Sequence, residues 1–192
     1  MLNGRVYPDT IAPNSPIDLV DPLPPYIPTS RDANGDLIPP QPLPGEDPGI
    51  YDHLQYQPYS SLVRCNAGER VLLRFANLGF MQASMTLTGI QMYVVGKDAT
   101  PLRGRDGTDF RYRTNTVSMG AGEAYDAIFT APAFQGPGTY DPSIDAYYDT
   151  YLLYNRSYSR SDNLSPSGFG GRMTEVRVFP ADTLGPQTLP NT

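Results

Sequence analysis

Apolar and polar positions follow two different rhythms on either side of residue 60. From Ser60 onward, short apolar or alternating runs recur, separated by Gly, Pro, Asp and Asn. They are SSLVRC (60–65), RVLLRFAN (70–77), ASMTLTGI (83–90), QMYVVG (91–96), RYRTNTVSM (111–119), EAYDAIFTA (123–131), YYDTYLLYNRS (147–157) and RMTEVRVFP (172–180). Runs of this length and period, bounded by turn residues, predict strands. Gly89 predicts a tight turn or bend between two of them. No segment repeats every 3.6 residues, so helix is expected to be minor. Strands at this spacing argue for an all-β sandwich or barrel. The alternation puts Val71, Leu73, Phe75, Leu87, Val94, Ile128 and Phe129 in or near its core. MLNGRVYP (1–8) reads as a further short strand.

Residues 9–58 have no such rhythm. Thirteen of the 21 prolines precede residue 60, and proline neither donates to a ladder nor continues a strand. The stretch therefore reads as one irregular, partly polyproline-like insertion in a single domain spanning 1–192. Loops of this length are usually functional or draped over a surface. Ile17, Leu19, Val20, Leu23, Tyr26, Ile27, Leu37 and Ile38 are too many apolar groups for a purely solvated linker. The segment is expected to lie across another surface, either its own sandwich or a neighbouring subunit.

Two stretches share a local plan. Gly68-Glu69 precedes Leu73-Arg74-Phe75-Ala76-Asn77, and Gly122-Glu123 precedes Ala124-Tyr125-Asp126. Gly68 and Gly122 permit turn dihedrals that other residues resist. Glu69 and Glu123 can accept hydrogen bonds from turn amides, and Arg74 and Asp126 can pair across a sheet. With Gly89 and Lys97-Asp98 between them, these features resemble the middle, copper-free domain of multicopper oxidases. The resemblance covers residues 60–132 and, through LNGRVYP, the start of the chain. It implies a cupredoxin-like Greek-key β-sandwich, here with a long proline-rich insertion at 9–58 that departs from the family's shorter crossing. It also implies a periplasmic or extracellular protein whose partners are other cupredoxin domains or protein subunits, with any copper in those partner domains.

The ligand count sets a limit on chemistry. A blue-copper centre takes two imidazoles and a thiolate, often with an axial methionine. This sequence has one histidine, His53, and one cysteine, Cys65, and no His-x-His pair. No catalytic, cofactor-binding or metal-ligating residue is therefore assigned. Cys65 reads as a small apolar strand residue, His53 as a loop residue, and Met81, Met85, Met92 and Met119 as core filler. A single histidine also rules out a convincing Ser-His-Asp triad. Asp32, Asn34 and Asp36 have spacing suggestive of calcium but more often marking a plain turn, and GRDGTD (104–109) lacks the later bidentate glutamate. Asp145 and Asp149 fall between tyrosines without signs of a cleft. Asn155-Arg-Ser and Asn163-Leu-Ser are glycosylation-like triplets.

The net charge is −6 and there is no basic run, so nucleic acid is a poor partner. No apolar run reaches the ~20 residues of a membrane span, and the N-terminus lacks the order of a signal peptide. Two functions lead, ahead of a free-standing enzyme with an unrecognised site, which the thin inventory of titratable groups disfavours. One is a copper-free structural domain that positions copper-bearing neighbours. The other is an independent assembly protein that binds partner subunits through its proline-rich arm and tyrosine-rich strands.

Overall fold

Alternation in the 70s and 120s produces a long, regular ladder. A computed structural model describes residues 1–12, 59–157 and 170–187. In it, β1 is Val63–Asn66 and β2 is Arg70–Ala76. β3 is Ala83–Leu87, β4 Met92–Lys97, β5 Thr100–Pro101, β6 Tyr112–Thr114 and β7 Thr116–Met119. β8 is Ala124–Thr130, β9 Thr139–Asp141, β10 Ala146–Asn155 and β11 Met173–Phe179. Each expected run from 60 onward overlaps one of these strands to within a few residues at its ends, and 111–119 contains two. The helical content among the described residues is a single 3-10 turn, Asp9–Ile11.

The strands form two sheets. One runs β1-β11-β10-β3-β7, with β9 paired to β10; the other runs β2-β8-β4-β5, with β6 also paired to β4. β1 lies parallel to β11 and the remaining pairs are antiparallel. The chain passes between sheets at β1–β2, β2–β3, β3–β4, β6–β7, β7–β8 and β8–β9. This is the all-β two-sheet sandwich that the sequence anticipates. Of the expected insertion, only residues 9–12 are described; the remainder, His53 included, lies outside the described residues.

The core forms where the inward faces meet. Leu73, Met85, Leu87, Met92, Val94, Val117, Phe129, Leu153, Val176 and Val178 are buried there, with Cys65 among them. Burying side chains of this size stabilises by roughly 1.5–3 kcal/mol each. Val71 and Phe75 are only partly buried against this cluster. Ile128 departs from expectation. The two-residue period of β8 turns Tyr125, Ala127 and Phe129 inward, so Ile128 faces out, paired with Leu72 and Tyr93.

Residues 1–8 are not the short strand that the sequence suggests. Leu2 and Arg5 exchange backbone hydrogen bonds around Asn3 and Gly4, both at positive φ (47° and 82°). An Asn-Gly pair takes up this left-handed geometry readily, so the segment closes on itself rather than extending. It then covers the outer face of β11. The Thr10 hydroxyl donates to the Met173 carbonyl at 2.6 Å, and Arg5, 1% exposed, donates to the carbonyls of Asp9 and Ala12. The chain returns at the same point, since the Ser61 amide and Ser60 hydroxyl both donate to the Thr10 carbonyl.

Candidate functional site

The two Gly-Glu stretches form one construction built twice. In the first turn the Glu69 amide donates to the Asn66 carbonyl at 3.1 Å, and the Asn66 amide donates to Glu69 Oε2 at 2.8 Å. In the second the Glu123 amide donates to the Gly120 carbonyl at 3.3 Å, and the Gly120 amide donates to Glu123 Oε2 at 2.7 Å. Gly68 and Gly122 occupy the third turn position at φ +84° and +80°, the left-handed geometry that a type II turn assigns to glycine. Each turn opens one strand of the β2–β8 pair and clasps the end of the other. The Gly68 amide donates to Ala131 O, and the Ala131 amide to Glu69 O. The Gly122 amide donates to Asn77 O, and the Asn77 amide to Glu123 O.

An asparagine secures each end. Asn66 Nδ2 donates to Glu69 Oε1 and the Leu184 carbonyl, while its Oδ1 accepts from the Leu184 amide. Asn77, 7% exposed, donates through Nδ2 to the carbonyls of Met81 and Gly120 at 2.8 and 2.9 Å and accepts from the Gly79 amide. Lys97 Nζ sits 2.8 Å from Glu123 Oε1. That bond, followed by the Gly120 amide, holds the Glu123 carboxyl below its ordinary range. Arg74 and Asp126 are cross-strand partners with Nε 3.5 Å from Oδ1. Glu69 and Glu123 accept hydrogen bonds within the scaffold, Asp126 is engaged by Arg74, and the three do not converge on a common cavity among the described residues.

The remaining candidates are dispersed. Cys65 is 1% exposed, and burial, with the charge of Glu69, pushes its thiol up to about 12. Met85, Met92 and Met119 are buried in the core, whereas Met81 is half exposed. The donor set does not fit a blue-copper centre: a buried thiol, three thioethers packed in the core and one half exposed, and one imidazole in the whole sequence. In GRDGTD, Asp106 accepts from the Thr108 amide and hydroxyl, and Asp109 pairs bidentately with Arg111. Asp145 accepts from the Tyr140 hydroxyl and Asp149 from the Gln135 amide. Asn155 is 1% exposed and accepts from the Ser84 amide, so it offers no acceptor for a glycan in the folded chain. Asp32, Asn34, Asp36 and Asn163 lie outside the described residues.

One cluster escapes sequence reasoning. Glu175 and Arg177, at alternate positions of β11, look like solvent-facing residues in RMTEVRVFP. Both are largely buried beneath the N-terminal segment. Glu175 accepts from Arg177 Nε at 2.9 Å and from the Tyr7 hydroxyl at 3.3 Å. Burial first, and then the Glu175 charge, raise the Tyr7 phenol. Arg177 lies 4.5 Å over the Tyr148 ring and 3.9 Å from Asp141. A cleft of about 440 Å³ opens beside it, lined in part by Pro8, Asp9, Ile11, Arg64, Asp141 and Arg177. The charges in this cleft neutralise one another.

No family model matches the sequence, and no curated protein matches it. Solved structures similar to the chain are multicopper oxidases. The blue copper oxidase from Nitrosomonas europaea is 22% identical at a TM-score of 0.46, over 60% of this chain and 30% of that one. The multicopper oxidase mgLAC is 23% identical at 0.46, over 67% and 33%. The laccase from Botrytis aclada is 19% identical at 0.43, over 68% and 20%. The chain thus spans a third or less of the length of these structures. Overlaps of this extent describe partial likeness of shape and carry no statement about activity.

Proposed function

We propose that this chain is a copper-free structural domain of a multicopper-oxidase-like protein, serving to position neighbouring copper-bearing domains. The observation that carries the reading is the donor count set against the motif. The Gly-Glu turns and the strands they open resemble the family's middle domain, yet one histidine and one cysteine cannot close a blue-copper centre. What the residues do instead is mechanical. The twin turns lock the two ends of the β2–β8 ladder, Asn66 ties in Leu184, and Asn77 fixes the loop after β2. A frame of this kind presents its loops at defined positions, which is what a spacer between catalytic domains requires.

The test has two parts. Purified chain exposed to Cu(II) and dialysed is expected to hold no stoichiometric copper and to show no intense blue band. A thiolate-to-copper band near one equivalent refutes the copper-free assignment. An antibody against this chain is expected to detect a natural product several times 21 kDa that contains copper. A copper-free product of 21 kDa supports the second reading, an independent assembly protein. That reading is favoured by the exposed Tyr140 and Tyr147, whose rings lie 5.3 Å apart beside each other on the β9–β10 hairpin.

A further inference from the structure

The two sheets differ in what covers their outer faces. β11 is buried on both sides, whereas β2 strictly alternates, with Arg70, Leu72 and Arg74 exposed. Register brings Leu72, Ile128 and Tyr93 into one row across β2, β8 and β4, and Arg113 of β6 continues it. Leu72 is 47% exposed and Tyr93 37%. The guanidinium groups of Arg113 and Arg111 lie 4.8 and 5.9 Å from the Tyr93 ring centre. Four arginines therefore border an apolar row, against two carboxylates, Asp126 and Asp109, which pair with Arg74 and Arg111.

A cationic face is unexpected on a chain of net charge −6, and the sequence shows where the compensating charge lies. Residues 13–58 hold seven of the 20 acidic residues (Asp18, Asp21, Asp32, Asp36, Glu46, Asp47 and Asp52) and one of the 14 basic ones, Arg31. That stretch alone accounts for the net −6, since the remaining chain has thirteen of each sign. It also carries apolar residues along its length, among them Ile17, Ile27, Ile38 and Ile50.

We propose that the Leu72–Ile128–Tyr93 row with its arginine border is the docking surface for residues 13–58 of the same chain. Chemistry and placement both match. Acidic side chains meet Arg70 and Arg113, and aliphatic groups meet the exposed row. The segment leaves and returns at one point, where the Ser61 amide meets the Thr10 carbonyl at 2.8 Å. From there β1 leads directly through the Gly68 turn into β2, the edge strand of the receiving sheet. A closed excursion of 46 residues reaches out and back over roughly 75 Å when extended, far more than the width of four strands at about 4.8 Å each. Prolines fix φ in advance and so reduce the entropy lost on docking.

The experiment uses the full chain. Burial of Cys65 leaves it unlabelled, so Ile17→Cys, Ile38→Cys and Ile50→Cys each accept a single nitroxide. Amide signals are then compared with the label oxidised and reduced. Docking predicts that at least one label halves or further weakens the signals of Leu72, Tyr93, Arg113 and Ile128. The loss should diminish in about 1 M salt, where the screening length falls to about 3 Å. It should also diminish in the exposed double variant Arg70→Glu/Arg113→Glu. Signal loss confined to other surfaces, or loss on this face that neither salt nor charge reversal changes, overturns the proposal. Mixing nitroxide-bearing chain with isotope-labelled, nitroxide-free chain separates the two sources. Loss in the mixed sample means that a second copy supplies the segment, which overturns docking within one chain.

Discussion

Replacing Gly68 or Gly122 by alanine tests whether the twin turns hold the β2–β8 ladder as described. Both glycines have positive φ, +84° and +80°, and a Cβ added at either meets no atom within 4 Å. Steric collision therefore contributes nothing, and the cost is that of holding an L-residue in the left-handed region, about 1–2 kcal/mol. The turns sit at opposite ends of the ladder without shared partners, so the double variant should lose about 2–4 kcal/mol. For a chain of this size, 1 kcal/mol corresponds to a fall in Tm of about 2–4 °C. Gly185→Ala is the control, because its surroundings are equally open and its φ is not positive. Asparagine tolerates the left-handed region better than alanine, so Gly122→Asn should fall between wild type and Gly122→Ala. Urea unfolding with an unchanged m-value is the assay. If Gly68→Ala and Gly122→Ala unfold together with Gly185→Ala, the turn geometry is wrong; so it is if the two single losses differ severalfold.

Four further outcomes follow from the structure. Phe129→Ala, at 2% exposure, should cost about 3–5 kcal/mol, and the half-buried Phe75→Ala clearly less, as measured by the same unfolding curves. Asn77→Ala strands the buried carbonyl partners of its amide and should cost about 1–3 kcal/mol; a loss below that range would show that the loop does not depend on it. The Cys65 thiol, pushed up to about 12 by burial, should react with an aromatic disulfide reagent only on unfolding, and rapid reaction of native protein at mildly alkaline pH would contradict its placement. Lys97 and the Gly120 amide lower the folded-state pKa of Glu123. The stabilisation from this carboxylate is therefore complete above its unfolded value of about 4.3 and is lost as pH falls through the lower folded value. Glu123→Gln should accordingly flatten the acid limb of a stability-versus-pH curve and leave the neutral region's slope unchanged.

The strands were legible because each half-exposed strand writes its environment as a period of two. RVLLRFA reads correctly in every position: Val71, Leu73 and Phe75 inward, Arg70, Leu72 and Arg74 outward. Ile128 was misplaced because β8 carries adjacent apolar residues, Ala127, Ile128 and Phe129, and an unbroken run does not reveal its phase. Its register with Leu72 and Tyr93 fixes that phase in three dimensions. Residues 1–8 were misread because LNGRVYP carries both strand formers and an Asn-Gly turn signal, and the turn prevailed. The function of the Gly-Glu pairs was legible from local chemistry. Their matching roles at opposite ends of one ladder were not, because the pairing of β2 with β8 joins residues about fifty positions apart.

Glu175 and Arg177 show the same limit from the other side. A polar residue at every second position normally marks water, yet β11 has the burial of a strand enclosed on both faces. The cover comes from Tyr7, Thr10 and Ala12, more than 160 positions earlier, and from the β9–β10 hairpin. Enclosing an ion pair is tolerated only where its remaining hydrogen-bonding capacity is met, and here Tyr7 and Asp141 supply the additional partners. Sequence alternation thus reports only that two faces differ, not which of them is wet. The five-stranded sheet carries an equally clear alternation and no such cover among the described residues, and it is there that an apolar row bordered by arginines stands open. One chain thus uses the same pattern for two purposes: a closed face under the N-terminal segment, and an open face whose charge is opposite to that of residues 13–58. The asymmetry between the faces, rather than any cluster of reactive groups, is what distinguishes this sandwich chemically.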